Sequence, residues 1–179
     1  PFARWLEDLG LDKPQIEKAI TRFPSMCGLS LEANLKPTSQ WLKDLGMDDQ
    51  QVAKTFARQP SLLGLSLEEK LKPTSQWLKD LGMDDQQVAK FFARQPSLLG
   101  LSLETNLRPK AQAMRDQGFA DTQLVSLLVR DPRLLTSRLD LLTHRMDVLA
   151  AQGLLTEQSL RNTITLTEAK FAARFESAA

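Results

Sequence analysis

The stretch from Pro37 to Glu68, PTSQWLKDLGMDDQQVAKTFARQPSLLGLSLE, returns at Pro73 to Glu104 with one change, Thr55 becoming Phe91. A chain that repeats itself at a spacing of 36 residues is built from stacked copies of one supersecondary unit. Four columns hold this register beyond the near-identical stretch. They are Pro24, Pro60, Pro96 and Pro132; Pro1, Pro37, Pro73 and Pro109; Gly10, Gly46, Gly82 and Gly118; and Trp5, Trp41 and Trp77, which lapses at Ala113. Any chemical feature inside the unit therefore becomes a row along the stack.

Within one unit, Ser66-Leu67-Glu68-Glu69 has the capping-box form that opens a helix, and Ser30 and Ser102 stand at the same place in the neighbouring copies. From Leu31, the residues Leu35, Thr38, Trp41, Leu42 and Leu45 fall on one face at helical spacing, and Gly46 ends the helix. Pro37, Pro73 and Pro109 sit inside this pattern, where a missing N–H and a ring clash predict a kink. Asp48-Asp49 opens a second, shorter helix with apolar Val52, Ala53 and Phe56; Arg58 closes its last turn and Pro60 stops it. Ser61-Leu62-Leu63-Gly64 is too short for a full helix and too apolar for an exposed loop, which predicts a 3₁₀ turn packed inward. Neither helix can bury its apolar face alone, so neighbouring units must stack.

The expected architecture is an all-α helical-repeat solenoid of period 36, forming a single domain over 1–179. It comprises a partial unit at 1–29, full units at 30–65, 66–101 and 102–136, and a degenerate C-terminal cap at 137–179. In the cap the second proline column and the tryptophan column hold Arg145 and Leu149, with helices expected over 138–152 and 156–175. Pro1 aligns with Pro37, in the middle of a repeat, so the chain reads as a fragment that starts inside a unit.

Composition narrows the function. The chain is 42% hydrophobic and 25% charged, a folded and soluble balance, and no apolar run approaches the roughly 18 residues of a membrane span. His144 is the only histidine and Cys27 the only cysteine, so neither a metal cluster nor a thiol–imidazole pair can be assembled. With no glycine-rich phosphate loop, and with Asp48-Asp49 explained by a helix start, the expectation is a non-enzymatic monomer without metal, cofactor or small-molecule substrate. Net charge is only +1, so an argument for a polyanionic partner must rest on how charge is arranged.

The ordered set S-L-E-E-K-L-K-P at 66–73, W-L-K-D-L-G-M at 77–83 and R-Q-P-S-L-L at 94–99 resembles the repeat of the mitochondrial transcription termination factor (mTERF) family. The resemblance runs from Pro1 to about Leu142 and weakens beyond it. It implies a superhelix of two helices plus a 3₁₀ turn per repeat, with a concave nucleic-acid-binding face. It further implies a role in transcription termination or wider gene expression in mitochondria or chloroplasts. The last repeat departs from the pattern by lacking its prolines.

Charge falls into two rows. The short helices carry Lys18, Arg22, Lys54, Arg58, Lys90, Arg94 and Arg130, with Ser126 in the last lysine position. The long helices carry Lys36 with Lys43, Lys72 with Lys79, and Arg108 with Arg115, diluted by Glu32, Glu68 and Glu104 and by Asp44, Asp80 and Asp116. On this reading both rows contact the phosphates of double-stranded DNA or structured RNA, the short-helix row foremost. An arginine in a last turn is also favoured by the helix dipole alone, and lysines opposite an apolar face are ordinary solvated surface. The tryptophans and phenylalanines are assigned to the core. The competing readings are a protein-binding scaffold without nucleic-acid contact, and a fragment with too few repeats to bind alone.

Overall fold

The computed structural model describes residues 2–176, and among them every regular element is helical. The chain divides into two compact units, Pro1–Leu101 and Ser102–Ala179, with the division falling between two copies of the repeat. In the first unit lie α1 (Phe2–Asp8), α2 (Lys13–Arg22), α3 (Lys36–Asp44), α4 (Asp49–Arg58), α5 (Lys72–Asp80) and α6 (Asp85–Arg94). The second holds α7 (Arg108–Asp116), α8 (Asp121–Arg130), α9 (Arg133–Thr136), α10 (Leu139–Ala151), α11 (Glu157–Ile164) and α12 (Glu168–Phe175). The expected 3₁₀ turns are present at Pro24–Gly28, Pro60–Gly64 and Pro96–Gly100, with Leu62, Leu63, Leu98 and Leu99 buried; the fourth copy closes into α9.

The proline column acts through the turn that precedes it. Leu31–Leu35, Leu67–Leu71 and Leu103–Leu107 are π-helical turns running directly into α3, α5 and α7. The N–H of Leu35 donates to Ser30 O at 3.3 Å, that of Leu71 to Ser66 O at 3.2 Å, and that of Leu107 to Ser102 O at 3.1 Å. A proline in the second position of the following α-helix has no N–H to place and a ring that crowds the preceding turn. Slipping the hydrogen-bond register from i+4 to i+5 makes room for that ring while the helix continues. The disturbance expected at Pro37, Pro73 and Pro109 takes the form of one wide turn per repeat. Each turn is capped by its serine hydroxyl, which accepts the N–H of Ala33, Glu69 or Thr105 at 3.1–3.2 Å.

Gly46 shows why the glycine column exists. Its φ of +102° is left-handed, its N–H donates to Lys43 O, and the next N–H, from Met47, donates to Leu42 O, which is the Schellman closure. Met47 is buried, the apolar contact that accompanies such a closure.

In the first unit α2 packs on α4 and α4 on α6, while successive 3₁₀ turns also touch. Trp5 meets Phe56 at 6.1 Å between ring centroids, and Trp41 meets Phe92 at 6.3 Å, each pairing a long helix with the short helix of the next repeat. The tryptophans are therefore packing residues: Trp77 is buried, and Trp5 and Trp41 half-buried. The C-terminal unit builds the same contacts from a decayed sequence, with α10 on α7 and α11 on α8. The single difference between the near-identical repeats lies in the core. Phe91 stacks edge-on against Phe92, whereas the fully buried Thr55 leaves its hydroxyl without a partner.

A buried hydroxyl without a hydrogen bond costs stability that an isosteric methyl does not. Thr55→Val should therefore raise unfolding stability by about 1 kcal/mol, read as a higher urea midpoint at unchanged slope. An unchanged or lower midpoint would show that the hydroxyl is satisfied.

Candidate nucleic-acid interface

The short helices are built so that their acidic residues are consumed where they start. Asp48 Oδ1 accepts the N–H of Gln51 at 2.7 Å while Gln51 Oε1 accepts the N–H of Asp48 at 3.0 Å, a reciprocal capping box. Asp84 with Gln87 and Asp12 with Gln15 repeat it. The neighbouring carboxylates Asp49 and Asp85 are taken by Lys43 and Lys79. On α4 and α6 no acidic residue follows these positions, so the later turns carry Lys54 and Arg58, then Lys90 and Arg94, all exposed. On α2, Glu17 stands next to Lys18 and dilutes the first copy.

The two cation rows differ in their company. Every member of the long-helix row has a carboxylate partner. Lys36 pairs with Glu32 at 2.5 Å, Lys72 with Glu68, and Arg108 with Glu104 at 3.0 Å, all within one helix face. Lys43 with Asp49, Lys79 with Asp85, and Arg115 with Asp121 at 2.8 Å tie each long helix to the short helix after it. Among the described residues, Lys18, Lys54, Lys90, Arg22 and Arg130 take part in no ion pair. Lys18 and Arg22 line an open groove of about 440 Å³ with Gln15, Ala57 and Arg58 between α2 and α4.

Arg58 has a structural engagement that the sequence does not announce. Its Nη1 donates to Ala93 O at 3.0 Å and its Nη2 to Arg94 O at 3.2 Å, so the guanidinium caps the C-terminal end of α6 in the next repeat. Unpaired carbonyls at a helix end attract a cation both as acceptors and through the dipole.

In the second unit the lysine position is Ser126, whose hydroxyl bonds Glu157 at 3.0 Å, and Arg130 is the exposed cation of α8. Two buried cations here escaped sequence reading. Lys110 replaces Thr38 and Thr74 of its column; its Nζ donates to Leu135 O at 2.6 Å and to Asn106 Oδ1, and burial pushes its pKa below the ordinary lysine range. Arg145 replaces the proline of its column. It donates to Thr163 O and, at 2.7 Å, to Leu166 O around the end of α11, and lies 5.1 Å from the Phe171 ring centre. Burial lowers its pKa while Glu168 opposes that shift. The available signal was a charged residue in a column that is elsewhere threonine or proline.

The family model for mTERF matches residues 3–172, nearly the whole chain. The chain belongs to the mTERF family. This is a non-enzymatic helical-repeat family that binds nucleic acid, with members that are mostly organellar and act in organellar gene expression. A comparison with curated proteins gives no match. The match reaches Ala172, past Leu142 where the sequence resemblance fades, and so takes in α10 and α11. Among the described residues no helix is long and apolar enough to cross a membrane.

The two buried cations give separable expectations. Arg145→Met removes the charge-assisted bonds that hold the end of α11, and stability should fall by about 3 kcal/mol in urea unfolding; a loss within error would assign that cap to other groups. For Lys110, the folded pKa is depressed, so the unfolded chain binds more protons between the folded value and the ordinary one. Stability should therefore rise with pH across that window and stay flat there in Lys110→Thr. Parallel pH profiles of the two proteins would contradict the assignment.

Proposed function

We propose that this protein binds double-stranded DNA or structured RNA through the short-helix row and acts by occupying that partner, within a mitochondrion or chloroplast. The observation that carries the reading is the contrast between rows: the exposed lysines of α2, α4 and α6 have no carboxylate partner, while all six long-helix cations do. An unpaired lysine brings a full charge to a phosphate and releases its counterion, whereas a paired one must first give up its carboxylate. Lys18, Lys54 and Lys90 are then the principal phosphate contacts, joined by Arg22 on the first unit and by Arg130 on the short helix of the second. Arg58 and Arg94 add positive potential at the same helix ends. The long-helix residues Lys36, Lys43, Lys72, Lys79, Arg108 and Arg115 are secondary contacts, since an exposed ion pair is worth only about 0–1 kcal/mol and can be exchanged for a phosphate. Contacts of this kind position a duplex without reading its bases.

Binding measured from low to moderate salt should fall steeply for a duplex. The combined Lys18→Gln, Lys54→Gln and Lys90→Gln protein should lose about 0.9 of log–log slope per lysine removed. An unchanged slope would remove these lysines from the interface. Failure of micromolar wild-type protein to retard duplex DNA, duplex RNA or single strands at low salt would favour the protein-binding scaffold.

A further inference from the structure

We infer that Arg58 is a positioning residue for the phosphate-binding row: it fastens α4 to α6 and so fixes the separation of Lys54 from Lys90. The inference rests on the proposed function for its consequence in binding, and on geometry alone for the fastening.

The geometry has three parts. Arg58 spans one repeat, reaching the carbonyls of Ala93 and Arg94, which lie 35 and 36 residues on. A planar guanidinium donating through two nitrogens to two successive carbonyls is fixed in orientation as well as distance, which one ammonium point charge does not achieve. Those carbonyls end the helix that carries Lys90, and Arg58 leaves from the helix that carries Lys54, one turn past it. The bond therefore ties together the two elements that present the lysines.

The same device recurs elsewhere in the molecule. Arg145 of α10 caps the end of α11, and Lys110 of α7 reaches Leu135 O in the last turn of α9. In each case a basic side chain on one element closes the carbonyl end of another, satisfying acceptors that a helix cannot satisfy itself. Arg145 and Lys110 are buried and can reach no phosphate. Arg58 is exposed, and it sits within the row proposed to contact nucleic acid. Arg22, in the same column one repeat earlier, forms no such bond and lines the open groove with Ala57 and Arg58. The column thus carries two tasks: Arg58 sets repeat geometry, and Arg22 is available to an anion.

Positional and direct roles separate through variants that divide charge from geometry. Arg58→Lys keeps the charge and loses the fork; Arg58→Gln loses both; Lys54→Gln loses a phosphate contact and leaves the fork intact. If Arg58 positions the row, Arg58→Lys, which keeps the charge, should weaken duplex binding by about tenfold at the wild-type salt slope, with Arg58→Gln at least as weak, while Lys54→Gln lowers the slope by about 0.9. Wild-type affinity in Arg58→Lys with a reduced slope in Arg58→Gln would make Arg58 a direct contact and overturn the inference. Wild-type affinity and slope in both would leave it a stability residue only, which also overturns it.

The fastening is read without nucleic acid by placing spin labels at Gln50→Cys and Gln86→Cys in a Cys27→Ser background. Their distance distribution should be narrow with Arg58 and broaden in Arg58→Gln. An identical width in both would contradict the inference even where no binding is detected, and a broadened width with no binding by any variant would instead count against the proposed function.

Discussion

Each repeat presents more apolar surface than it can cover, and this one constraint organises the molecule. The long helix offers Leu35, Leu42 and Leu45, the short helix offers Val52 and Phe56, and the turn between copies adds Leu62 and Leu63. Within the first unit these side chains are buried by neighbouring copies, and the half-buried tryptophans Trp5 and Trp41 pack on the short-helix phenylalanine of the repeat that follows. Because burial drives the stacking, short helix must follow short helix in register. That register turns a single lysine per copy into a row, so the proposed interface is a by-product of packing and has no separate scaffold.

Charge is then sorted by local helix chemistry. Carboxylates are spent at helix starts, either in capping boxes or against the long-helix cations, which leaves the later turns of α4 and α6 positive in a protein whose net charge is +1. Carbonyl ends impose the complementary demand, and Arg58, Lys110 and Arg145 meet it. Basic residues in this fold therefore serve two purposes, and their hydrogen-bond partners separate them.

Much of this was legible from residue columns. The period, the serine caps, the left-handed glycines and the Pro60-type turns follow from local rules, and local rules decided the structure there. The proline column is legible as a disturbance of the helix, and the structure gives that disturbance its form, a π-helical turn whose slipped register makes room for the ring. The Ser66–Glu69 capping box is realised in its serine half, while Asp48, legible only as a helix start, forms the reciprocal box with Gln51. What sequence could not supply was partnership at a distance. Helical periodicity alone does not distinguish Lys54, which has no ion pair, from Lys43, which reaches Asp49 across the interhelical turn, or show that Arg58 finds its carbonyls in the next copy. The buried Lys110 and Arg145 escape sequence reading for the same reason, since their backbone acceptors lie 18 to 25 residues away on other elements.

Amine-modification footprinting tests the central claim most directly, because it reports on each lysine in the unmutated protein. With a saturating duplex, Lys18, Lys54 and Lys90 should be protected most strongly, and Lys36, Lys43, Lys72 and Lys79 should change least. Protection confined to the long-helix lysines, with the short-helix row as reactive as in the free protein, would contradict the account.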